Sequence, residues 1–124
     1  MSLDCLRALD YACDKALGVL NEMSEALGRG RGKGAGLARM LREAAYALGD
    51  AASKCIRGCE SSTEPRCVIG ELIDRLQAVM QGVAIRLERI GRLGTETEEE
   101  LAGMLVDALY SVIHSLCRYA ASLG

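Results

Sequence analysis

The stretch LDCLRALDYACDKALGVLNEMSEAL, residues 3–27, has the clearest structural pattern in the chain. Apolar side chains recur along it at alternating spacings of three and four residues. This spacing brings them onto one face of an α-helix, because the helix turns once in about 3.6 residues. We therefore predict an amphipathic helix over 3–27. The residues of its apolar face are Leu6, Leu9, Cys13, Ala16, Leu20, Met23 and Leu27.

The same periodicity returns in three later segments, over about 37–59, 66–93 and 97–122. The connection over 28–36 is predicted to be non-helical because every second residue is glycine. Pro65 suits the first turn of the third helix. Short connections favour neighbouring helices that run in opposite directions. The prediction is an all-α, single-domain protein over 1–124, built as a four-helix antiparallel (up-down-up-down) bundle.

The fourth helix is apolar over a wider arc than a surface helix needs. One stripe consists of Leu101, Leu105, Ala108, Val112 and Tyr119, and the second lies beside it. Since a four-helix bundle usually buries one stripe per helix, the second stripe predicts a homo-oligomer, most simply a two-fold dimer. The alternative is a central helix in a monomer. The predicted interface residues are Val106, Leu109, Ile113, Leu116 and Ala120.

Six cysteines are spread over the four predicted helices, and antiparallel folding brings five of them to one end of the molecule. Three interpretations compete: disulfide bonds, reduced cysteines that act as small apolar residues, and a metal or iron–sulfur site. Six cysteines allow fifteen pairings, so the sequence does not determine the connectivity. Cys59 and Cys67 flank one turn and are the easiest pair to join, and a bond between Cys5 and Cys117 could tie the chain ends, which would leave Cys13 with Cys55.

Cysteine use and composition bear on the habitat of the protein. Arginine is far more frequent than lysine, and asparagine and glutamine are scarce, which fits a hyperthermophile. Cytosolic proteins of hyperthermophiles can also keep disulfide bonds. No N-terminal signal peptide is predicted, and the uncharged run between Asp107 and Arg118 is shorter than the roughly 20 residues that span a bilayer. We expect a cytoplasmic protein without membrane contact.

The connection over 28–36 contains three cations and no acid: Arg29, Arg31 and Lys33. Flexible glycines and arginine side chains can surround a phosphate, which makes contact with nucleic acid a possible role for this loop. The loop lacks the pattern of a nucleotide-hydrolysing phosphate loop, since no Ser or Thr follows Lys33. The net charge of −2 gives no general attraction to nucleic acid. The alternative is a solvated linker.

Catalytic patterns are missing from the sequence. His114 is the only histidine and falls on the polar arc of the fourth helix, where a solvated histidine is expected. A di-iron bundle needs two Glu-x-x-His motifs, and the residue three before His114 is Ser111. We predict no catalytic residue, metal or cofactor. The expected role is a non-enzymatic scaffold or accessory subunit that contacts itself or another helical protein, and the alternative is a nucleic-acid-associated subunit.

Overall fold

The computed structural model describes residues 3–29, 34–60, 63–90 and 96–123, and all regular secondary structure in these ranges is α-helical. The predicted all-α class is confirmed, and each predicted helix is present within a few residues of its expected bounds. The expected end of the third helix, beyond residue 90, lies outside the described residues. The helices are α1 (Leu3–Gly28), α2 (Gly34–Ile56), α3 (Pro65–Ile90) and α4 (Glu96–Ser122).

The bounds of α2 correct the sequence prediction at both ends. Gly34 already belongs to α2, although the whole of 28–36 was expected to be non-helical. Burial of Leu37 in this first turn favours the helical conformation over the low propensity of glycine. At the other end, Gly58 adopts a φ of 78° and the Cys59 N–H donates to the Ile56 carbonyl at 2.9 Å. A left-handed glycine after the last turn ends a helix in this way.

The contacts between helices are unequal. α1 packs against both α2 and α4, and α2 packs against α3, whereas α3 and α4 make few contacts with each other. The buried apolar residues of all four helices form one continuous core. Within the described residues, α3 and α4 therefore leave an open side between them.

Small residues let α2 lie close to its neighbours. Its buried face is rich in alanine, and Gly70 of α3 lies directly against its last turn. A Cβ atom at Gly70 would lie 2.5 Å from Ile56 Cγ2 and 3.1 Å from Cys55 Cβ. The closeness of α2 and α3 at this point therefore depends on glycine.

All six cysteines lie in the described residues and all are oxidised into disulfides. Cys59–Cys67 crosses the turn between α2 and α3, with a Cα–Cα distance of 6.0 Å, and confirms one predicted pair. Cys5–Cys55 joins the start of α1 to the end of α2, with a Cα–Cα distance of 4.7 Å. Cys13–Cys117 joins α1 to α4 over 6.0 Å.

The predicted pairs Cys5–Cys117 and Cys13–Cys55 are wrong, and the reason is depth along the helix axes. Cys55 lies in the last turn of α2, level with Cys5 at the start of α1. Cys13 lies eight residues further along α1, about 12 Å at 1.5 Å per residue. Cys117 lies more than a turn before the end of α4, so it reaches the deeper of the two α1 cysteines.

Candidate functional site

The polar and charged side chains of the described residues lie at or near the surface. None of them is buried, and no buried side-chain nitrogen or oxygen in these residues lacks a partner. His114 is exposed and stacks parallel to the ring of Tyr110, with ring centroids 6.1 Å apart. Within the same residues, no cluster of three or more His, Cys, Asp or Glu side chains is arranged to hold a metal ion. The surface grooves are therefore the candidate binding sites of this part of the chain.

The predicted phosphate contacts fall at the edge of the described chain. Arg29 is exposed directly after α1, and its backbone N–H donates to the Glu25 carbonyl at 3.1 Å. Arg31 and Lys33 lie outside the described residues. Of the three cations in the connection over 28–36, the described residues thus include one, Arg29, and it is solvated.

The two apolar stripes of α4 have the opposite roles from those predicted. The predicted interface stripe faces the core: Val106, Leu109, Ile113 and Ala120 are buried, and Leu116 is half-buried. The reason is the rotation of α4 on α1: Cys117, which bonds Cys13 of α1, lies on the same side of α4 as these buried residues. The other stripe is exposed instead. It consists of Leu101, Leu105, Ala108, Val112 and Tyr119.

The exposed stripe of α4 borders the open side of the molecule. A cleft of about 240 Å³ lies between the last turns of α3 and the first turns of α4, and its lining includes Val83, Leu101 and Leu105. Leu72 and Val79 of α3 are also about half exposed, at 45% and 58%. We call this surface the open face. It comprises Leu72, Val79 and Val83 of α3 and Leu101, Leu105, Ala108, Val112 and Tyr119 of α4.

By length and composition alone, α4 is also apolar enough to cross a membrane. The segment is 98–122, the only one of its kind in the described ranges, and 22% of its most apolar window is buried inside the protein. A core helix of a soluble protein passes the same test but is mostly buried. The low burial of α4 therefore marks it as a helix with an apolar surface that the described residues leave uncovered.

A surface groove larger than the cleft between α3 and α4 lies elsewhere, between the outer sides of α1 and α2. It has a volume of about 850 Å³, and the start of α3 closes one end. Two carboxylates, Asp4 and Asp50, lie among its lining residues. We call it the cationic groove because five cations outnumber them. These are Arg7, Lys15, Lys54, Arg57 and Arg66.

Two of these cations are occupied by contacts within the protein. The Lys54 ammonium lies 3.2 Å from an Asp50 carboxylate oxygen. The Arg66 guanidinium donates to the Cys55 and Arg57 carbonyls at 2.8 and 3.0 Å, which satisfies the end of α2. The side chains of Arg7, Lys15 and Arg57 make no hydrogen bond or ion pair with any described residue. These three are free to meet a ligand.

Two tyrosines stand in the same groove, Tyr11 on α1 and Tyr46 on α2. They are 67% and 76% exposed, and neither hydroxyl bonds to a described residue. The chain has four tyrosines and no phenylalanine or tryptophan, so half of its tyrosine, phenylalanine and tryptophan rings stand in one groove. The arrangement presents flat apolar rings next to unpaired cations.

A smaller groove of about 500 Å³ lies between α1 and α4 and contains the Cys13–Cys117 disulfide. Asp10, Asp14 and His114 are among its lining residues. It offers charges of both signs and no exposed thiol, since the two cysteines are bonded to each other. Of the three grooves, it shows the weakest preference for any class of ligand.

The cationic groove was not predicted, although its signal is present in the sequence. Arg7, Tyr11 and Lys15 recur every four residues and so share one face of α1. Tyr46 and Lys54, eight residues apart, share one face of α2 in the same way. What the pattern does not contain is the rotation of the two helices, which brings these faces to the same side.

In comparisons with known proteins, the chain matches no family model, no curated protein and no solved structure.

Proposed function

We propose that the protein is a non-enzymatic, disulfide-stabilised assembly subunit that pairs with a second copy of itself through the open face. We also infer that its helices run up, down, up and down. This direction is supported by bonds that join helix starts to helix ends, such as Cys5–Cys55. The observation that carries the proposed pairing of two copies is the exposure of the apolar stripe on α4. Soluble monomers rarely leave a large contiguous apolar patch uncovered.

The spacing of the stripe favours another helix as the occupant. Leu101, Leu105, Ala108 and Val112 follow one another at intervals of four, three and four residues. This is the interval of a helix–helix seam, in which side chains of one helix enter the gaps of the other. Ala108 in the middle of the stripe allows a close approach of the partner helix.

A second copy fits the open face because the face combines a ridge with a cleft. The exposed stripe of α4 forms the ridge, and the gap between α3 and α4 forms the cleft. A two-fold axis would place the ridge of each copy in the cleft of the other, so that both contacts are equal. No charge on the stripe itself selects a different partner.

A membrane is the main competing occupant of α4. Against it, the segment contains Asp107 near its middle and Arg118 further on, and both are exposed. A charged side chain at the centre of a bilayer costs about 2.5–3.5 kcal/mol on insertion scales. The disulfide to Cys13 also holds α4 against α1, which carries exposed charges of its own.

The experiment that tests the proposal is a mass measurement of the oxidised protein by sedimentation or light scattering over a concentration series. We expect twice the chain mass of 13.2 kDa. The variant Leu105→Glu/Val112→Glu should shift the mass to that of one chain without loss of helical circular dichroism. The matched control is Ser111→Glu, which adds charge on the exposed polar side of α4 and should leave the mass unchanged.

A single-chain mass for the unmodified protein at all concentrations would overturn the proposal. So would a double mass that persists in Leu105→Glu/Val112→Glu. Flotation with lipid vesicles completes the test, because binding to vesicles that these two substitutions abolish would assign the open face to a membrane instead.

A further inference from the structure

We propose that the cationic groove between α1 and α2 is a binding site for single-stranded nucleic acid. Its unpaired cations hold phosphates, and its two exposed tyrosines stack on bases. The site is independent of the proposed pairing of two copies, because it is built from other surfaces of other helices. The residues that carry it are Arg7, Tyr11, Lys15, Tyr46 and Arg57.

The charge of the groove is opposite to that of the chain. Five cations and two carboxylates line it, a local balance of +3, whereas the whole chain has a formal net charge of −2. Concave positive surfaces concentrate anions by focusing the field. The electrostatic signal for an anionic ligand is therefore local to the groove.

Exposed tyrosine rings distinguish this groove from a general anion site. Tyr11 and Tyr46 are among the most exposed large hydrophobic side chains of the described residues, although burial would have stabilised them. Every nucleic-acid base has a flat face that can stack on such a ring, and each stacked base contributes about 1–3 kcal/mol. Cations beside stacking rings are the combination that single-strand binding surfaces use.

The dimensions suit a short piece of a single strand. Arg7 and Lys15 lie eight positions apart, about 12 Å along α1, and Arg57, just past the end of α2, lies eleven positions after Tyr46, about 16 Å at the rise of a helix. This length accommodates roughly two to three nucleotides, so the affinity should be modest and strongly salt-dependent. A duplex is disfavoured because its bases are paired and cannot reach the rings.

The groove should accept any base sequence. Its lining has no asparagine or glutamine, the side chains that read adenine edges by paired hydrogen bonds. Arginine and lysine can read guanine, but in this proposal the unpaired cations hold phosphates, which leaves the tyrosine rings as the contacts with bases. Stacking and phosphate contact alone are sequence-tolerant.

An acidic protein segment is the competing ligand, since it would use the cations but not the rings.

The test is a fluorescence anisotropy titration of the full, oxidised chain with a labelled oligothymidine of about 12 nucleotides. We expect saturable binding at low salt. With three phosphate contacts, the affinity should fall about twentyfold between 50 and 200 mM salt, because each contact adds about 0.7 to the logarithmic salt slope. A mixed-sequence single strand should bind equally well, and a duplex of the same sequence should bind more weakly.

Variants separate the two parts of the site. Arg7→Gln/Arg57→Gln should reduce the salt effect over the same range to about threefold. Tyr11→Leu/Tyr46→Leu should weaken binding about thirtyfold or more, and Tyr11→Phe/Tyr46→Phe should retain it because the ring is kept. The matched control is Arg75→Gln/Arg89→Gln, which removes two exposed arginines of α3 outside the groove and should have no effect.

Three outcomes would overturn the proposal. The first is no binding at low salt, and the second is binding that the groove variants leave unchanged. The third is binding that the leucine variants leave unchanged and that polyglutamate competes away, which would assign the groove to acidic protein segments. If binding survives the groove variants but is lost in Arg29→Gln/Arg31→Gln/Lys33→Gln, the second outcome applies. The nucleic acid would then bind the glycine-rich connection over 28–36 and not the cationic groove.

Discussion

Cys13 of α1 and Cys117 of α4 are joined by a disulfide across 104 residues of sequence. Of the three disulfides, this is the one that reaches α4, a helix that otherwise packs mainly on α1. The bond attaches α4 to α1 and lies on the side of α4 that faces the core. The same bond is expected to be the strongest of the three in its effect on stability.

The first prediction concerns the ranking of the disulfides. In the chain-entropy account, a bond that closes a longer loop constrains the unfolded state more. Removing Cys13–Cys117 as a double serine variant should lower the free energy of unfolding by about 5 kcal/mol, and removing Cys59–Cys67, which closes a loop over 8 residues of separation, by about 2.5 kcal/mol. Urea unfolding of each variant measures this. A larger loss for the Cys59–Cys67 pair would contradict it.

The second prediction tests which stripe of α4 is in the core. Ile113 is 1% exposed, so Ile113→Ala should cost about 2–4 kcal/mol of unfolding free energy through a cavity. Val112, its neighbour in sequence, is 47% exposed, and Val112→Ala should change the stability of the isolated chain by less than about 1 kcal/mol. Thermal or urea unfolding at low protein concentration compares them. Equal losses would mean that α4 is rotated differently on α1.

The third prediction concerns the close approach of α2 and α3. Gly70→Ala introduces a Cβ that overlaps Ile56 Cγ2 and crowds Cys55 Cβ. The substitution should therefore lower the free energy of unfolding by about 1–3 kcal/mol. The matched control is Gly18→Ala in the exposed middle of α1, where nothing lies within 4 Å of the added atom. This control should raise the stability by about 0.5–1 kcal/mol because alanine favours the helix. Two stabilising alanines would contradict the close packing at Gly70.

The fourth prediction follows from the ion pair between Arg42 of α2 and Glu88 of α3. The hydrogen bond from Arg42 lowers the pKa of the Glu88 carboxyl below its ordinary value of 4.5, with a smaller contribution from the charge of Arg42. A lowered folded-state pKa gives stability that is present above the unfolded-state pKa and is lost as pH falls through the folded-state pKa.

Glu88→Gln should therefore reduce stability at neutral pH, and its difference from the unmodified protein should shrink at pH values below about 4.5. The effect should be small, because both side chains are about 40% exposed. Denaturation midpoints measured against pH provide the check, with Glu71→Gln as the control on an exposed carboxylate of the same helix. A difference that grows as pH falls would have the wrong sign.

Local patterns predicted the helices well because the signal for a helix is contained in neighbouring residues. The apolar periodicity of 3–27 and the Pro65 that opens α3 each act within one or two turns. Cys59–Cys67 was predictable for the same reason, since one short turn separates the two residues. The errors at the ends of α2 are also local, and they arose where the burial of Leu37 and the left-handed Gly58 modified a simple propensity argument.

The sequence alone therefore established the number of helices, their approximate bounds and the short-range disulfide. Three features depended on how each helix is rotated and placed against the next: the partners of Cys5 and Cys13, the buried stripe of α4, and the meeting of Tyr11 with Tyr46 in one groove. Periodicity assigns a residue to a side of its own helix, but packing of the whole core selects the neighbour that this side meets.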